Sequence, residues 1–291
     1  MTLRHIKIFV EVCKLNSITK AAEKLYIAQP AVSYAIKELE EYYGIKLFDR
    51  ISRRLYLTEA GKNVLDYAMH IVSLFDEMEN NVRDIDKPGK LCIGSSITIG
   101  TCFMPGYVSH FKTLYPQAEV YVTIDSSDTI EKKILQNELD FALIEGTIHL
   151  ENIICETYMD DELVIICKPD HPFCNNKSVT VSQFISEQFL LREKGSGTRE
   201  LFDNVLASLG YSVMPTWEST STLALVNAVI KGLGISVLPF MLVKEMLNTG
   251  RIAAIQIDGV KFKRKFNIIY HKNKFLTTSA KGFIEMCKSK K

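Results

Sequence analysis

The chain has 291 residues, 47% hydrophobic and 24% charged, with 35 Lys and Arg against 34 Asp and Glu for a formal net charge of +1. That length suits a small domain plus a larger one with its own core, and the near-neutral balance excludes a polycation that would coat nucleic acid or membrane along its whole surface. No apolar run approaches the roughly 18 residues of a membrane span, no signal-peptide pattern opens the sequence, and the seven cysteines, without any CxxC, read as reduced thiols of a cytoplasmic protein with no membrane partner.

Charge is unevenly placed: residues 1–60 are net +3, residues 61–258 net −11 and residues 259–291 net +9. A mildly basic head on an acidic body suits DNA binding confined to one end. Ile6, Phe9, Val10 and Cys13 predict an amphipathic helix over 2–15. Ser17 is a good N-cap for a second helix carrying Ala21, Ala22 and Leu25. After the turn at Tyr26-Ile27-Ala28, a third helix opens at Gln29-Pro30, buries Val32, Ile36, Leu39 and Tyr43, and stops at Gly44. Its other face, Pro30, Ser33, Tyr34 and Lys37, is small and hydrogen-bonding and reads as free of acids, which fits a major groove. Spacing alone also allows an ordinary solvated face. The balance shifts with Leu47-Phe48 and Leu55-Tyr56-Leu57, two strands around a turn at 49–54 holding Arg50, Arg53 and Arg54. A basic wing beside a recognition helix supplies phosphate or minor-groove contacts.

The run AAEKLYIAQPAVSYAIKELEEYYGIKLFDR followed by LTEAGKNVL resembles the winged helix-turn-helix of LysR-type transcriptional regulators. The resemblance places the reading helix on Gln29, Pro30, Ser33, Tyr34 and Lys37 and the wing on Arg50, Arg53 and Arg54. Ala28 stands where Ser is usual, and Tyr34-Ala35 where longer polar residues are frequent; both departures bear on base preference and leave the fold intact.

Thr58 caps a long helix reaching about residue 86, with Val64, Ala68, Ile71, Phe75, Met78, Val82 and Ile85 at alternating spacings of four and three. That pattern predicts a coiled-coil seam and hence dimerisation, with packing on its own chain as the alternative. Lys87-Pro88-Gly89 reads as a hinge. Beyond it, strand patterns at 91–96, 120–125, 139–145, 162–168, 189–192, 234–239 and 265–271 alternate with helical ones near 100–114, 129–136, 198–209, 222–231 and 240–247. Such alternation predicts α/β architecture with a mostly parallel sheet. The resemblance implies a two-lobed, periplasmic-binding-protein-like effector domain, with crossings near residues 160–162 and 265–269. The expected division is residues 1–58 for the DNA-binding domain, 59–88 for the linker and dimerisation helix, and 89–291 for the effector domain. Lobe I would hold 89–161 and 268–291, and lobe II 162–267.

Three loops at strand ends open helices with hydroxyls and glycines: 94–100, 125–129 and 191–199. Free backbone N–H groups with Ser, Thr and a nearby Arg favour an anion; ordinary N-capping is the alternative for any one of them. The resemblance places a small-molecule effector between the lobes, on Ser96, Thr98, Ser127, Ser196 and Thr198. Arg192 is the expected charged anchor, and GSGTR with GSSITIG looks most like the branch of Calvin-cycle and sulfur-assimilation regulators. No P-loop, dinucleotide fingerprint, nucleophile elbow or metal-ligand spacing occurs, so no catalytic residues, metal or cofactor are expected beyond a small anionic metabolite acting as effector. The expected partners are double-stranded DNA, that effector and a second copy or three further copies of the chain, with RNA polymerase a candidate. Three rivals remain. A bilobal solute-binding protein would fit the C-terminal two-thirds, and an enzyme of the same fold would need an acid–base pair the cleft loops lack. A thiol-based redox regulator would use Cys92 and Cys102, although alternation turns Cys92 inward as an inert thiol. The cluster Lys261, Lys263, Arg264 and Lys265 reads as a solvated strand edge or a DNA contact.

Overall fold

The computed structural model describes residues 1–51, 54–83, 90–175 and 179–289. Its contacts divide the chain into one unit of Met1–Gly89 with Leu135–Asn137 and Asn273–Phe275, and a second unit of the remainder.

In the first unit α1 (Leu3–Leu15) is followed by α2 (Ile18–Lys24), α3 (Gln29–Tyr43), β1 (Phe48–Ile51), β2 (Arg54–Leu57) and α4 (Glu59–Arg83). Ser17 caps α2, its Oγ accepting the Lys20 N–H at 3.3 Å. Tyr26, 95% exposed, makes the turn with φ +53°, a region bulky residues rarely enter. Pro30 sits in the first turn of α3, and Gly44 ends it with φ +66°, where a side chain would be strained. Phe9, Val12, Ala21, Val32, Leu39 and Leu47 form the core. Tyr43 departs from the expected stripe, being 45% exposed, while Ala35 takes a buried place.

The wing strands pair antiparallel from Phe48–Leu57 to Ile51–Arg54. Arg50 and Arg54 are therefore ladder positions, of which only the backbone is described, and not turn residues as expected; Arg53 lies outside the described residues. Thr58 caps α4 as expected, accepting the Gly61 N–H at 2.9 Å. Gly61 packs against the wing so closely that a Cβ would collide with the Leu47 carbonyl.

The predicted seam on α4 divides in two. Ala68 is buried, and Val64, Leu65, Met69 and Val72 lean on the same core, while Phe75 is half-buried under the Lys7 ammonium, 4.9 Å from its ring centroid. The row left in solvent is Tyr67, Ile71, Leu74 and Met78, spaced four, three and four. Periodicity shows that a helix has an apolar side; it does not show how many neighbours share it. The Val82 side chain is not described, and Ile85 and the hinge at 87–89 lie outside the described residues.

The second unit runs β3 (Leu91–Ser96), α5 (Ile97–Cys102), α6 (Met104–Leu114), β4 (Val120–Asp125), α7 (Ser127–Leu135), β5 (Phe141–Glu145), β6 (Ile153–Cys167), α8 (Val181–Ile185), β7 (Leu190–Arg192), α9 (Gly197–Ser208), β8 (Trp217–Ser219), α10 (Thr222–Ile230), β9 (Ser236–Pro239), α11 (Phe240–Asn248), β10 (Ala253–Ile255), β11 (Phe262–His271) and α12 (Thr278–Ser289). One sheet is ordered β10-β6-β11-β5-β3-β4, with β9 also on β6, and β7-β8 form a separate pair. The sheet is mixed, correcting the mostly parallel expectation. β3 pairs parallel with β4 and β5, but β11 lies antiparallel to both β5 and β6, and β9 and β10 are antiparallel to β6. The strands expected at 162–168 and 265–271 are the ends of longer ones. The first half of β6 has exposed or half-exposed positions at Glu156, Thr157 and Asp160, and such polar residues mask a strand read by apolar runs.

β6 and β11 run side by side through both cores, with a bulge between Phe266 and Asn267 that bends the pair where it passes from one to the other. One core gathers Leu91, Phe111, Phe141, Ile268 and Phe283, with Ile130, Ile134 and Ile144 on the opposite face of the strands. The other gathers Ile165, Phe184, Phe189, Phe202 and Val237, again with a second face at Ile166, Leu225 and Leu238. Alternation at Ile165, Ile166 and Cys167 serves both faces, as a strand covered on two sides requires.

Candidate functional site

Two surfaces carry the chemistry, one in each unit. On α3, Gln29, Pro30 and Lys37 are exposed, Tyr34 is 62% exposed, and Ser33 is half-buried. Gln29 Nε2 donates to Ser33 Oγ at 2.9 Å. Two acids border this face, contrary to the expectation: Lys37 pairs with Glu41 at 3.3 Å, and a hydrogen bond to Glu38 holds the Tyr34 hydroxyl above its ordinary pKa. Both lie one helical turn on, where a pattern read over one face overlooks them. A concave surface between α3 and the wing is lined by Gln29, Ser33, Lys37, Lys46 and Asp49. Glu40 holds its two walls together by accepting the N–H groups of Leu47 at 2.9 Å and Phe48 at 3.3 Å while pairing with Lys46 at 3.0 Å.

In the second unit, β3 and β5 are adjacent and parallel, so their carboxyl ends bring Ser96, Thr98 and Glu145 together. The first residue of α9 abuts them: a Cβ on Gly197 would stand 2.5 Å from the Glu145 carbonyl oxygen. Ser96, Thr98, Ser127, Arg192, Ser196 and Thr198 are all buried. Ser96 and Ser196 occupy N-cap positions yet make no capping hydrogen bond, unlike Ser17 or Ser221. Ordinary capping therefore does not account for them. Ser96 Oγ donates to Glu145 Oε2, Thr98 Oγ1 donates to Glu145 Oε1 at 3.0 Å, and Ser127 Oγ donates to the Glu145 carbonyl at 3.0 Å.

Two residues at the centre of this network were not expected there. Arg264 is buried, not on a solvated edge. Its Nε donates to Asp161 at 2.7 Å, its Nη1 to Thr198 Oγ1 at 3.0 Å and its Nη2 to Thr98 Oγ1 at 3.2 Å, and Nη1 lies 3.6 Å from Glu145. The signal was available, since Phe262, Arg264 and Phe266 share one face of β11 and both phenylalanines are core. Glu145, at the carboxyl end of an otherwise apolar strand, is fully desolvated, which raises its pKa although Arg264 opposes the rise. Arg192 is engaged differently from an open anchor: Nε and Nη2 both donate to Glu193 at 2.8 Å, and its carbonyl accepts from Arg199 at 3.0 Å. Cys92 is half-buried, not turned fully inward, and burial pushes the Cys102 thiol up.

Residues 86–291 match the family described as the LysR substrate binding domain, and residues 3–62 match the bacterial regulatory helix-turn-helix protein, lysR family. The chain belongs to the LysR family of transcriptional regulators. It is 32% identical over 287 residues to the uncharacterized HTH-type transcriptional regulator YeiE of Escherichia coli, spanning 99% of this chain and 97% of that one. It is 29% identical to the RuBisCO operon transcriptional regulator of Allochromatium vinosum, over 98% of this chain and 95% of that one, in agreement with the branch expected from the cleft loops. The regulatory domain of Synechocystis CcmR in complex with 2-PG superposes with a TM-score of 0.64 at 25% identity, covering 69% of this chain and 96% of that domain. The protein is thus a DNA-binding regulator with a two-lobed effector domain. Its family is one of regulators and not of enzymes, and no described helix is long and apolar enough to cross a membrane.

Proposed function

We propose that this cytoplasmic regulator binds an inverted-repeat operator as a homodimer or dimer of dimers and is switched by a small anionic metabolite, without catalysing a reaction. Gln29, Pro30, Ser33, Tyr34 and Lys37 enter the major groove, and Arg50, Arg53 and Arg54 contact the backbone or minor groove beside it. The exposed row Tyr67, Ile71, Leu74 and Met78, with Phe75 and Val82 at its margins, is the pairing surface of α4. Val64 and Ala68 reinforce it from the head core. RNA polymerase is the further partner of a regulator that activates.

The effector lies between lobe I (89–161 and 268–291) and lobe II (162–267). The observation that carries this reading is the meeting of Thr98 and Thr198 on one guanidinium, Arg264, and of Thr98 and Ser96 on Glu145, with Ser96 and Ser196 left without capping hydrogen bonds at helix starts. The likeness to CcmR, whose regulatory domain is complexed with 2-PG, supports an anion in the same place. An effector changes DNA binding only by binding two arrangements of the lobes unequally. Thr198→Ala and Ser96→Ala should each abolish the response of operator binding to effector while leaving operator affinity without effector unchanged, as read by footprinting. A normal response in both variants would remove the effector from this cleft.

A further inference from the structure

The donors that an anionic effector needs are already taken. Glu145 receives hydrogen bonds from Ser96 Oγ and Thr98 Oγ1, and its carboxylate stands 3.6 Å from Arg264 Nη1. The charges at the site leave no room for a second ionised group. Glu145 and Asp161, each with a side chain 3% exposed, share the guanidinium of Arg264, while Arg192 is held by Glu193 through two hydrogen bonds. With Glu145 and Asp161 both ionised, the trio has one negative charge in excess. An anion seated on Ser96 and Thr98 would add another within hydrogen-bonding reach of Glu145, in surroundings that screen it far less than water does.

We propose that Glu145 is the internal occupant of this anion site and that the effector enters together with one proton, which Glu145 takes up. The neutral carboxyl then turns its O–H toward the bound oxyanion as a donor, so the same atom that repels an anion in one protonation state holds it in the other. The inference rests on reading the cleft as an anion site, and adds that Glu145 selects for oxyanions able to accept a hydrogen bond from its O–H. The groups facing Glu145 are Arg264 on β11, Arg192 on β7, Asp161 and Tyr158 on β6, and Cys102 on α5. Desolvation raises the Glu145 carboxyl, Arg264 and Arg192 pull it down and Asp161 pushes it up, a direction that favours proton uptake.

The test is calorimetric titration of the full chain with inorganic sulfate, whose charge is constant from about pH 6 to about pH 8, and separately with 2-PG. Repeating each titration in two buffers of different ionisation enthalpy counts protons. Wild-type protein should take up close to one proton per sulfate above the Glu145 pKa, and its affinity should fall about tenfold per pH unit there. Glu145→Gln should bind sulfate with no proton uptake, independently of pH, and at least tenfold tighter than wild type at the upper pH. Zero proton uptake by wild type with measurable sulfate binding overturns the role of Glu145 and leaves the anion site standing. Absence of sulfate and 2-PG binding to either protein at every pH overturns the anion site itself, and this inference with it. The proton count on wild type needs no variant, so a poorly folded Glu145→Gln would not spare the proposal.

Discussion

On α3, Gln29, Pro30, Tyr34 and Lys37, which we propose face DNA, stand in solvent with the core behind them; in the effector domain Ser96, Thr98, Glu145, Thr198 and Arg264 are themselves buried. The difference follows from the ligand. A duplex is far too large to enclose, so its readers must project from a surface, and removing one changes binding with little effect on folding. A small metabolite is held by groups taken out of water, and those groups must satisfy one another when it is absent. The head can therefore separate function from stability, whereas the cleft cannot.

Three substitutions put that contrast to the test. The largest effect is expected from Arg264→Met, which leaves Glu145 and Asp161 buried without their cation and should cost about 3–5 kcal/mol in urea denaturation. A loss under about 1 kcal/mol would show that the cleft is wetter than its burial indicates. Glu40→Ala removes the acceptor for two partly buried N–H groups in the head and should cost about 1–3 kcal/mol. It should also weaken operator binding, because the wing is no longer tied to α3; an unchanged footprint would mean that the hairpin holds its place unaided. Smallest is Ser17→Ala, a surface cap worth about 1 kcal/mol, which should lower the melting temperature of the head and leave effector binding untouched.

Much of the head was legible because its signals are local. Ser17, Pro30, Gly44 and Thr58 act within a few residues of themselves, and the apolar stripes of α1 and α3 report a face that any neighbour would cover. The strands at 91–96 and 120–125 were equally plain. What could not be read was how an apolar side is shared. Val64 and Ala68 turned to the head core while Ile71 and Met78 remained in solvent. The polar first half of β6 and the three-residue start of β11 likewise hid the true length of these two strands.

The helix-turn-helix with its wing, the order of α/β elements and the hydroxyl-rich loops at strand ends are written in the chain itself, as consequences of backbone geometry and periodicity over short spans. That Ser96 meets Glu145 across 49 residues, and Thr98 meets Arg264 across 166, follows from how the folded strands and helices pack. A charged side chain has the same appearance in a sequence whether water or a buried partner neutralises it, and which of the two it finds depends on where distant strands come to lie.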